Sequence, residues 1–412
     1  MPRACLARWA RWAVLCEKFA VGNVCYALIG AAIPLMISGG FHVDGYMDTM
    51  DAFHSYQSRE KKLEILKDSH IGAFAAIMLA LYYMIDIAAI SEIHTQKAVS
   101  ALAAAVLAEV KRAIAGKDAC ITKAFATILA GGHILIEDVP GVGKTTLAIA
   151  FSRVMGLLDH RVQFTPDVLP ADIVGFNMYQ KETGQFVYHP GTIMCNLFLA
   201  DEINRTSPKT QSALLEVMEE GKVTVDGVSR KVPQPFVVIA TQNPKGSAGT
   251  QLLPESQLDR FMTCMSMGYP DLQSEMEIAQ GKTMTKAEDL QPVLLPEQLW
   301  EMQQYVEQIY VHDNVAKYIV QLMEATRKNA YIELGVSPRG TIACVRLAKA
   351  WAFLQGRNYV IPDDVTDIFA DVAKHRIVLN TKARIGHVTV DATLQEILSD
   401  VDKPTTYKRL RG

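Results

Sequence analysis

The stretch from His133 to Leu147 reads HILIEDVPGVGKTTL. An apolar run typical of a buried strand passes through a glycine-containing loop into the predicted start of a helix. Glycines allow backbone N–H groups to turn inward, and a helix N-terminus carries partial positive charge, so this arrangement can hold a nucleotide's phosphates. We expect Lys144 to reach the β and γ phosphates and the Thr145 hydroxyl to ligate Mg²⁺. The predicted nucleotide-binding residues are Pro140, Gly141, Val142, Gly143, Lys144, Thr145 and Thr146.

One position departs from the usual phosphate-loop pattern. Asp138 stands where that pattern has glycine. For this stretch alone, a glycine-rich turn that merely joins a strand to a helix is therefore an alternative interpretation. The choice depends on whether other parts of a nucleotide site follow along the chain.

Composition limits the classes of protein to consider. At 412 residues the chain is long enough for about two or three domains, and 50% hydrophobic content is ample for a buried core. A formal net charge of −3 with mixed signs gives no electrostatic reason to expect nucleic acid as a partner. The 7 cysteines include no CxxC pair, which argues against a disulfide framework and a zinc site and suits a reducing compartment.

The N-terminal region contains two apolar runs. Residues 19–37 carry no charge and as a helix would be about 28 Å long, close to the hydrocarbon thickness of a bilayer. Residues 71–90 form the second run, with Asp86 near its end. These runs predict membrane-associated helices, with buried helices of a soluble domain or a cleaved signal peptide as alternatives. A cytoplasmic N-terminus is favoured by the basic residues before the first run, which are Arg3, Arg8, Arg11 and Lys18.

Three carboxylates lie between the apolar runs. Asp44, Asp48 and Asp51 recur at helical spacing, so they would share one helix face. Because Mg²⁺ prefers oxygen ligands, they are candidate metal ligands; a solvated acidic face is the alternative.

The stretches GGFHVDGYMDTMDAF and EKKLEILKDSHIG, within about residues 37–90, resemble the cobalamin-5′-phosphate synthase family. These adenosylcobinamide-GDP ribazoletransferases are integral-membrane enzymes that use Mg²⁺. The resemblance implies that His42 and the three aspartates correspond to family elements. It covers only a fragment of such an enzyme, so we do not expect transferase activity from it.

After the phosphate loop, strand and helix patterns alternate, which predicts a parallel sheet with helices on both faces. The expected strands cover residues 161–164, 196–201, 236–241 and 264–267. The run Asn196 to Glu202, NLFLADE, ends in two carboxylates, which at the carboxyl edge of a parallel sheet would lie beside the phosphate loop. We expect Asp201 to hold Mg²⁺ through water and Glu202 to act as general base toward the attacking water.

Three further polar residues complete the predicted site. Asn243 ends the apolar run FVVIATQNP and can bond the attacking water or the γ-phosphate. Arg260 lies in LDRF and Arg339 in SPRG, where Pro338 predicts a helix start. Arginine suits the charge on a transferring phosphoryl group because it is permanently cationic and forked.

Together, the motifs DVPGVGKTT, LFLADEINR, TQNP, LPESQLDRF and SPRG resemble the MoxR family of AAA+ ATPases over about residues 98–401. The resemblance implies that Lys144 and Thr145 are Walker A residues and that Asp201 and Glu202 are Walker B residues. It also implies that Asn243 is sensor 1, that Arg339 is sensor 2 and that Arg260 is an arginine finger acting on a neighbouring subunit's ATP. The implied cofactors and partners are ATP, Mg²⁺, a hexameric homo-oligomeric ring and a client or adaptor with a von Willebrand factor A domain.

The predicted fold class is thus α/β, a P-loop AAA+ core with a C-terminal α-helical lid and an N-terminal α-helical, membrane-associated segment. Hairpins are expected at residues 177–189 and 222–232, and only helices from Leu295 onward. The expected divisions are 1–91 for the N-terminal helices, 92–110 for a linker and leading helix, 111–285 for the core, 286–402 for the lid and 403–412 for a tail.

The functional expectation is Mg²⁺-dependent ATP hydrolysis that drives remodelling, assembly or cofactor insertion of a client protein. The ATPase domain is expected in the cytoplasm, anchored to the inner membrane by the N-terminal helices. The alternatives are a membrane-bound ribazoletransferase and an ATP-binding switch with little turnover.

Overall fold

The computed structural model describes residues 23–38, 46–50, 52, 55, 58–65, 73–139, 141–243, 253–280 and 285–404. Three candidate site residues lie outside this described part, namely Asp44, Asp51 and Pro140. Contacts divide the chain into two compact units, Met1–Ala101 and Leu102–Gly412.

The first unit is helical where it is described. It contains α1 (Asn23–Ser38), α2 (Arg59–Ile65) and most of α3 (Ala73–Lys111), which continues without a break through the segment expected as a linker. In the described part of the chain, none of the helices combines the length and apolar character that a membrane span needs. Asp48 lies in the helical residues 46–50 and is half-buried. The Mg²⁺ site expected at the three aspartates stays a prediction.

The second unit begins with an α/β core. Its elements in chain order are α4 (Asp118–Leu129), β1 (Ile134–Glu137), α5 (Lys144–Val154), β2 (Asp159–Gln163), α6 (Pro170–Val174), β3 (Gly175–Gln180), β4 (Gln185–Pro190), β5 (Leu197–Asp201), α7 (Pro208–Glu220), β6 (Lys222–Val225), β7 (Val228–Lys231), β8 (Val237–Gln242), α8 (Glu255–Leu258), β9 (Thr263–Met265) and α9 (Leu272–Ala279).

Five of these strands form a parallel sheet in the order β2-β5-β8-β1-β9. All residues of the central strand β8 are buried. Because successive side chains of a strand point to opposite faces, burial along its whole length means that both faces of the sheet are covered. The expected parallel sheet is confirmed, and the ends of the four expected strands are within two residues of the observed ones.

The parallel sheet has two functionally different edges. β1, β5 and β8 all end at the carboxyl edge, where the phosphate loop, Asp201 and Gln242 follow. His133, immediately before β1, and Met262, immediately before β9, lie at the amino edge. Any group attached to one edge is therefore separated from the other by the length of the strands.

Two antiparallel hairpins project from the core. β3 pairs with β4, and β6 pairs with β7, as the alternating patterns at 177–189 and 222–232 predict. The turns use Gly184 and the pair Asp226 and Gly227, all with positive φ.

The lid consists mainly of helices. They are α10 (Pro296–Glu307), α11 (Asp313–Lys328), α12 (Pro338–Leu354), α13 (Pro362–Ala373), α14 (Thr381–Ile385) and α15 (Val390–Asp400). The expected α-helical lid is confirmed, but it also contains a strand pair that was not expected, because β10 (Ile332–Leu334) pairs antiparallel with β11 (Val378–Leu379). Strands of three and two residues are too short to produce a readable alternation in the sequence.

His133 is a buried, neutral link between a helix and the sheet. Its Nδ1 accepts a hydrogen bond from the Val238 backbone N–H at 3.0 Å, so Nε2 carries the proton and donates to the Met218 carbonyl at 3.0 Å. Burial lowers the pKa of His133 from 6.5 to about 4, partly offset by the Met218 bond. The folded state therefore favours the uncharged ring.

We predict that His133 makes the free energy of unfolding fall as the pH is lowered from 6.5 to 4. Between pH 6.5 and 4 the unfolded chain binds a proton at this ring and the folded chain does not. Relative to His133→Gln, which cannot titrate, the wild-type free energy of unfolding should lose about 3 kcal/mol over that range. Urea unfolding at several pH values measures this, with the exposed His387→Asn as control. An equal pH dependence in wild type and His133→Gln would contradict it.

Candidate functional site

The phosphate loop has the backbone geometry of an anion cradle. Gly141 and Gly143 adopt φ values of 88° and 95°, which side chains rarely tolerate, and Gly143 caps the N-terminus of α5. A Cβ added at Gly141 would meet no atom within 4 Å, and one at Gly143 would meet only Met267 Cε at 3.8 Å. The loop is therefore not covered by other atoms at these two glycines, which leaves room for phosphates beside it.

Asp138 anchors this loop to the segment after β9. Its Oδ2 accepts hydrogen bonds from Ser266 Oγ (2.9 Å), Met267 N (2.6 Å) and Gly268 N (2.7 Å), and Oδ1 accepts one from Val139 N (3.0 Å). Burial raises the pKa of Asp138, but these hydrogen bonds outweigh it and hold the pKa below its ordinary value. The departure from glycine at this position is thus a structural anchor for the loop.

Lys144 begins α5 with its side chain buried. Its Nζ donates to the Asp138 carbonyl at 2.7 Å and lies 3.5 Å from Asn243 Oδ1. Burial lowers the pKa of Lys144, opposed by the charges of Asp138, Asp201 and Glu202. Thr145 and Thr146 follow in the first helical turn and are half-buried.

A threonine hydroxyl organises the two carboxylates at the end of β5. Thr241 Oγ1 donates to Asp201 Oδ1 at 2.6 Å and accepts from the Glu202 backbone N–H at 2.9 Å. The other oxygen of Asp201 accepts from Arg161 Nη2 at 2.7 Å. Because both of its oxygens have partners, Asp201 suits a metal held through water better than one bound directly.

Glu202 is held in a left-handed backbone conformation, with φ 56° and ψ 48°. Its Oε1 accepts from Asn243 Nδ2 at 2.9 Å and its Oε2 from Arg205 Nη1 at 2.8 Å. The Arg205 hydrogen bond above all, with that of Asn243, lowers the pKa of Glu202 against the effect of burial. Glu202 is therefore ionised at neutral pH, as a general base must be.

These contacts bring the expected residues at the carboxyl edge into one network, which runs from Asp138 through Lys144 and Asn243 to Glu202. The open glycine cradle and the buried ammonium fit a triphosphate, and the threonine hydroxyl and carboxylate fit Mg²⁺. The residues present are thus chemically suited to Mg²⁺ and ATP.

Arg260 and Arg339 lie elsewhere, at the amino edge. Arg339 Nη2 donates to Glu219 Oε1 at 2.7 Å, and Arg260 Nε lies 3.7 Å from Glu219 Oε2. Both arginines line a cleft of about 410 Å³ that also contains His133 and Met262, the residues that precede β1 and β9. The structure does not bring them to the phosphate loop of the same chain.

Several residues of the site were not anticipated from the sequence. Thr241 lies in the quoted motif TQNP, but its role needs the register of β5 beside β8 to be seen. Arg205 lies in INR, three residues after Glu202, a spacing that could have suggested the ion pair. The role of Glu219 could not be predicted, because nothing in the sequence connects it to both arginines.

The two hairpins form one surface. Asn177 Nδ2 donates to Asp226 Oδ2 at 2.6 Å, and the Arg230 guanidinium lies 3.9 Å from the centre of the Tyr188 ring. Apolar side chains are exposed on the first hairpin; they are Phe176, Met178, Tyr179 and Phe186. Such a patch is typical of a surface that contacts another protein.

The fold and the network at the carboxyl edge define a P-loop ATPase with a helical lid. A family model described as "ATPase family associated with various cellular activities (AAA)" matches residues 133–263, and one described as "AAA lid domain" matches residues 324–397. A crystal structure from Cytophaga hutchinsonii assigned to the ATPases superposes with a TM-score of 0.70 at 34% identity, over 76% of this chain and 98% of that one.

Curated relatives show to which family of ATPases the chain belongs. YeaC of Bacillus subtilis is 44% identical over 303 residues, which is 73% of this chain and 95% of YeaC. Chaperone MoxR1 of Mycobacterium tuberculosis is 38% identical over 305 residues, 72% of this chain and 81% of MoxR1. The chain belongs to the MoxR family of AAA+ ATPases.

The N-terminal resemblance is confirmed as well. A family model described as "Cobalamin-5-phosphate synthase" matches residues 6–176, and its far end overlaps the AAA match. The adenosylcobinamide-GDP ribazoletransferase of Lachnoclostridium phytofermentans is 44% identical over 96 residues. The chain spans 36% of that relative's length.

We predict that restoring the usual glycine at position 138 weakens the protein. Asp138→Gly leaves the backbone N–H groups of Met267 and Gly268 without their acceptor. Two such losses should lower the free energy of unfolding by about 2–4 kcal/mol and raise the KM for ATP. Asp138→Asn, which keeps one oxygen, should lose less, and the exposed Asp402→Asn should lose nothing. Urea unfolding measures all three, and an unchanged Asp138→Gly would refute the anchor.

Proposed function

We propose that this protein is a Mg²⁺-dependent ATPase that works as a ring and whose hydrolysis cycle remodels a client protein. The observation that carries the proposal is the contact of Asn243 with both Lys144 and Glu202 at the carboxyl edge of the sheet. It joins a phosphate-binding cation to an ionised carboxylate through an amide that can orient water.

ATP binding is assigned to the phosphate loop and the first turn of α5. The backbone N–H groups around Gly141 and Gly143 would bind phosphate oxygens, and Lys144 would provide a positive charge for the β and γ phosphates. The Thr145 hydroxyl and, through water, Asp201 would hold Mg²⁺, which when bound neutralises charge on the phosphates.

Hydrolysis is assigned to Glu202, which accepts the proton of the attacking water. The Arg205 ion pair and the Asn243 hydrogen bond hold both carboxylate oxygens and fix their direction. Thr241 fixes the backbone of Glu202 at the same time. A base oriented in this way contributes a factor of about 10²–10⁴ to the rate.

A ring is supported by the position of the two arginines. Arg260 and Arg339 lie at the amino edge, so neither is beside the phosphate loop of its own chain. Arg260 Nε is buried and has no hydrogen-bond acceptor among the described residues. We infer that both arginines act on the ATP of a neighbouring subunit in a closed ring, which we propose to be hexameric.

Client remodelling is supported by the paired hairpins and by the name chaperone carried by the relative MoxR1. The exposed aromatic side chains of the first hairpin offer an apolar contact for a client or for an adaptor with a von Willebrand factor A domain. We place the ATPase part in the cytoplasm, and anchoring by the N-terminal helices stays a prediction.

Transferase activity has less support, because the chain spans 36% of a ribazoletransferase relative. The direct test is consumption of adenosylcobinamide-GDP by membranes that contain the wild type or Asp44→Ala. Equal, non-zero consumption by both would remove the acidic site from consideration. No consumption by the wild type would remove the activity itself.

We predict that Glu202→Gln loses turnover and keeps ATP binding. The amide retains an acceptor for Asn243 but cannot take a proton, so kcat should fall about 10²–10⁴-fold while the Kd for ATP changes little. Lys144→Ala should lose binding, and the exposed Glu301→Gln on the lid should behave as wild type. Phosphate release and nucleotide titration measure these quantities. Wild-type turnover no faster than that of Glu202→Gln would favour an ATP-binding switch.

We predict that loss of Arg205 shifts the acidic side of the pH profile of kcat to higher pH. The Arg205 hydrogen bond lowers the pKa of Glu202, so this carboxylate stays ionised as pH falls through its ordinary range. In Arg205→Met the pKa of Glu202 should rise, and kcat should begin to fall at a higher pH than in wild type. The exposed Arg153→Met is the control. Superimposable pH profiles of kcat would contradict this assignment.

A further inference from the structure

A buried guanidinium ties the lid to the loop that carries Arg260. Arg376, in the short turn after α13, is nearly inaccessible, with 2% of its side chain exposed. Its Nε donates to Asp259 Oδ1 at 2.7 Å, and its Nη2 donates to the carbonyls of Asp259 (2.9 Å) and Phe261 (2.6 Å). Its Nη1 donates to the carbonyls of Met262 (3.2 Å) and Val372.

All five N–H groups of Arg376 therefore have acceptors. Four of the five bonds go to residues 259–262, the segment that contains Arg260, and the fifth goes to the lid helix α13. A segment fixed by four hydrogen bonds to one planar group has little freedom to shift relative to the lid.

Residues of the SPRG motif contact the same carboxylate, that of Asp259. Ser337 Oγ, which caps α12, lies 2.9 and 3.0 Å from the two oxygens of Asp259. Arg339 Nη1 lies 3.6 Å from Asp259 Oδ2. A Cβ at Gly340 would lie 2.9 Å from Arg376 Cδ and 2.3 Å from Val336 Cγ1, so glycine is needed for the guanidinium to fit.

We propose that Arg376 is a positioning residue that sets Arg260 and Arg339 in register with each other for a neighbouring subunit's ATP. Its N–H groups are all bonded to protein acceptors, and it acts by holding Asp259, which lies next to Arg260 in the chain and contacts Arg339. The inference rests on the proposed ring function. It adds that the lid of one subunit controls hydrolysis in the next.

Arg376→Lys tests this with little change in volume or charge. The ammonium keeps an interaction with Asp259 but cannot reach four further carbonyl groups. The matched control is Arg357→Lys, because Arg357 is another lid arginine with an aspartate partner, Asp364, but it neither lines the cleft of Arg260 and Arg339 nor bonds to residues 259–262.

We expect Arg376→Lys to lower kcat about 100-fold with an unchanged KM for ATP, since a displacement of about 1 Å costs this much. Mixed with an equal amount of Lys144→Ala, it should regain activity. In such rings the intact phosphate loop of an Arg376→Lys subunit meets the intact arginines of a Lys144→Ala subunit. Arg357→Lys should retain wild-type kcat.

The mixture of Arg260→Ala with Lys144→Ala separates this inference from the ring itself. If that mixture also fails to regain activity, the shared site is wrong. If it regains activity while the Arg376→Lys mixture does not, Arg376 serves its own subunit and the positioning role is overturned. Equal losses of kcat in Arg357→Lys and Arg376→Lys would likewise overturn it. If Arg376→Lys does not fold, Asp259→Asn replaces it, with the same recovery on mixing expected.

Discussion

The nucleotide site depends on the carboxylate of Asp138. It joins the end of β1 to the segment after β9, the neighbouring strand, through hydrogen bonds from Ser266, Met267 and Gly268. The Asp138 carbonyl also accepts a hydrogen bond from the ammonium of Lys144. Asp138 thus holds the start of the phosphate loop at the sheet edge and also fixes the position of the Lys144 ammonium. A glycine here would give the loop more freedom and leave buried N–H groups unpaired.

The helix α7 connects the two edges of the sheet. It begins shortly after Glu202 and ends at Glu220, and its 13 residues span about 20 Å. Glu219, in its last turn, holds Arg339 and lies beside Arg260. The base that we assign to the chain's own ATP therefore lies shortly before α7, and the carboxylate that holds the arginines lies in the last turn of α7. The hairpin β6–β7 follows α7 directly in the chain.

Much of this arrangement could be predicted from the sequence because it depends on local patterns. Buried parallel strands appear as short apolar runs, and the motifs at their carboxyl ends place Lys144, Glu202 and Asn243 at one edge. Contacts between distant parts of the chain could not be predicted in this way. The bonds of Arg376 to residues 259–262 cross 114 to 117 positions and involve backbone carbonyls, which any sequence provides. The strand pair in the lid was missed because two or three residues carry no periodicity.

The charges at the amino edge give a physical reason for the proposed ring. Arg260 Nε is buried without an acceptor in the described part of the chain, and Glu219 lies beyond hydrogen-bonding distance from it. A buried donor without a partner costs about 1–3 kcal/mol, which an acceptor brought within its reach would recover. A nucleotide bound to the chain's own phosphate loop cannot provide this acceptor, because that loop lies at the other edge of the sheet. A second subunit that presents its nucleotide to the cleft can, and each subunit would then stabilise the charge that develops at its neighbour.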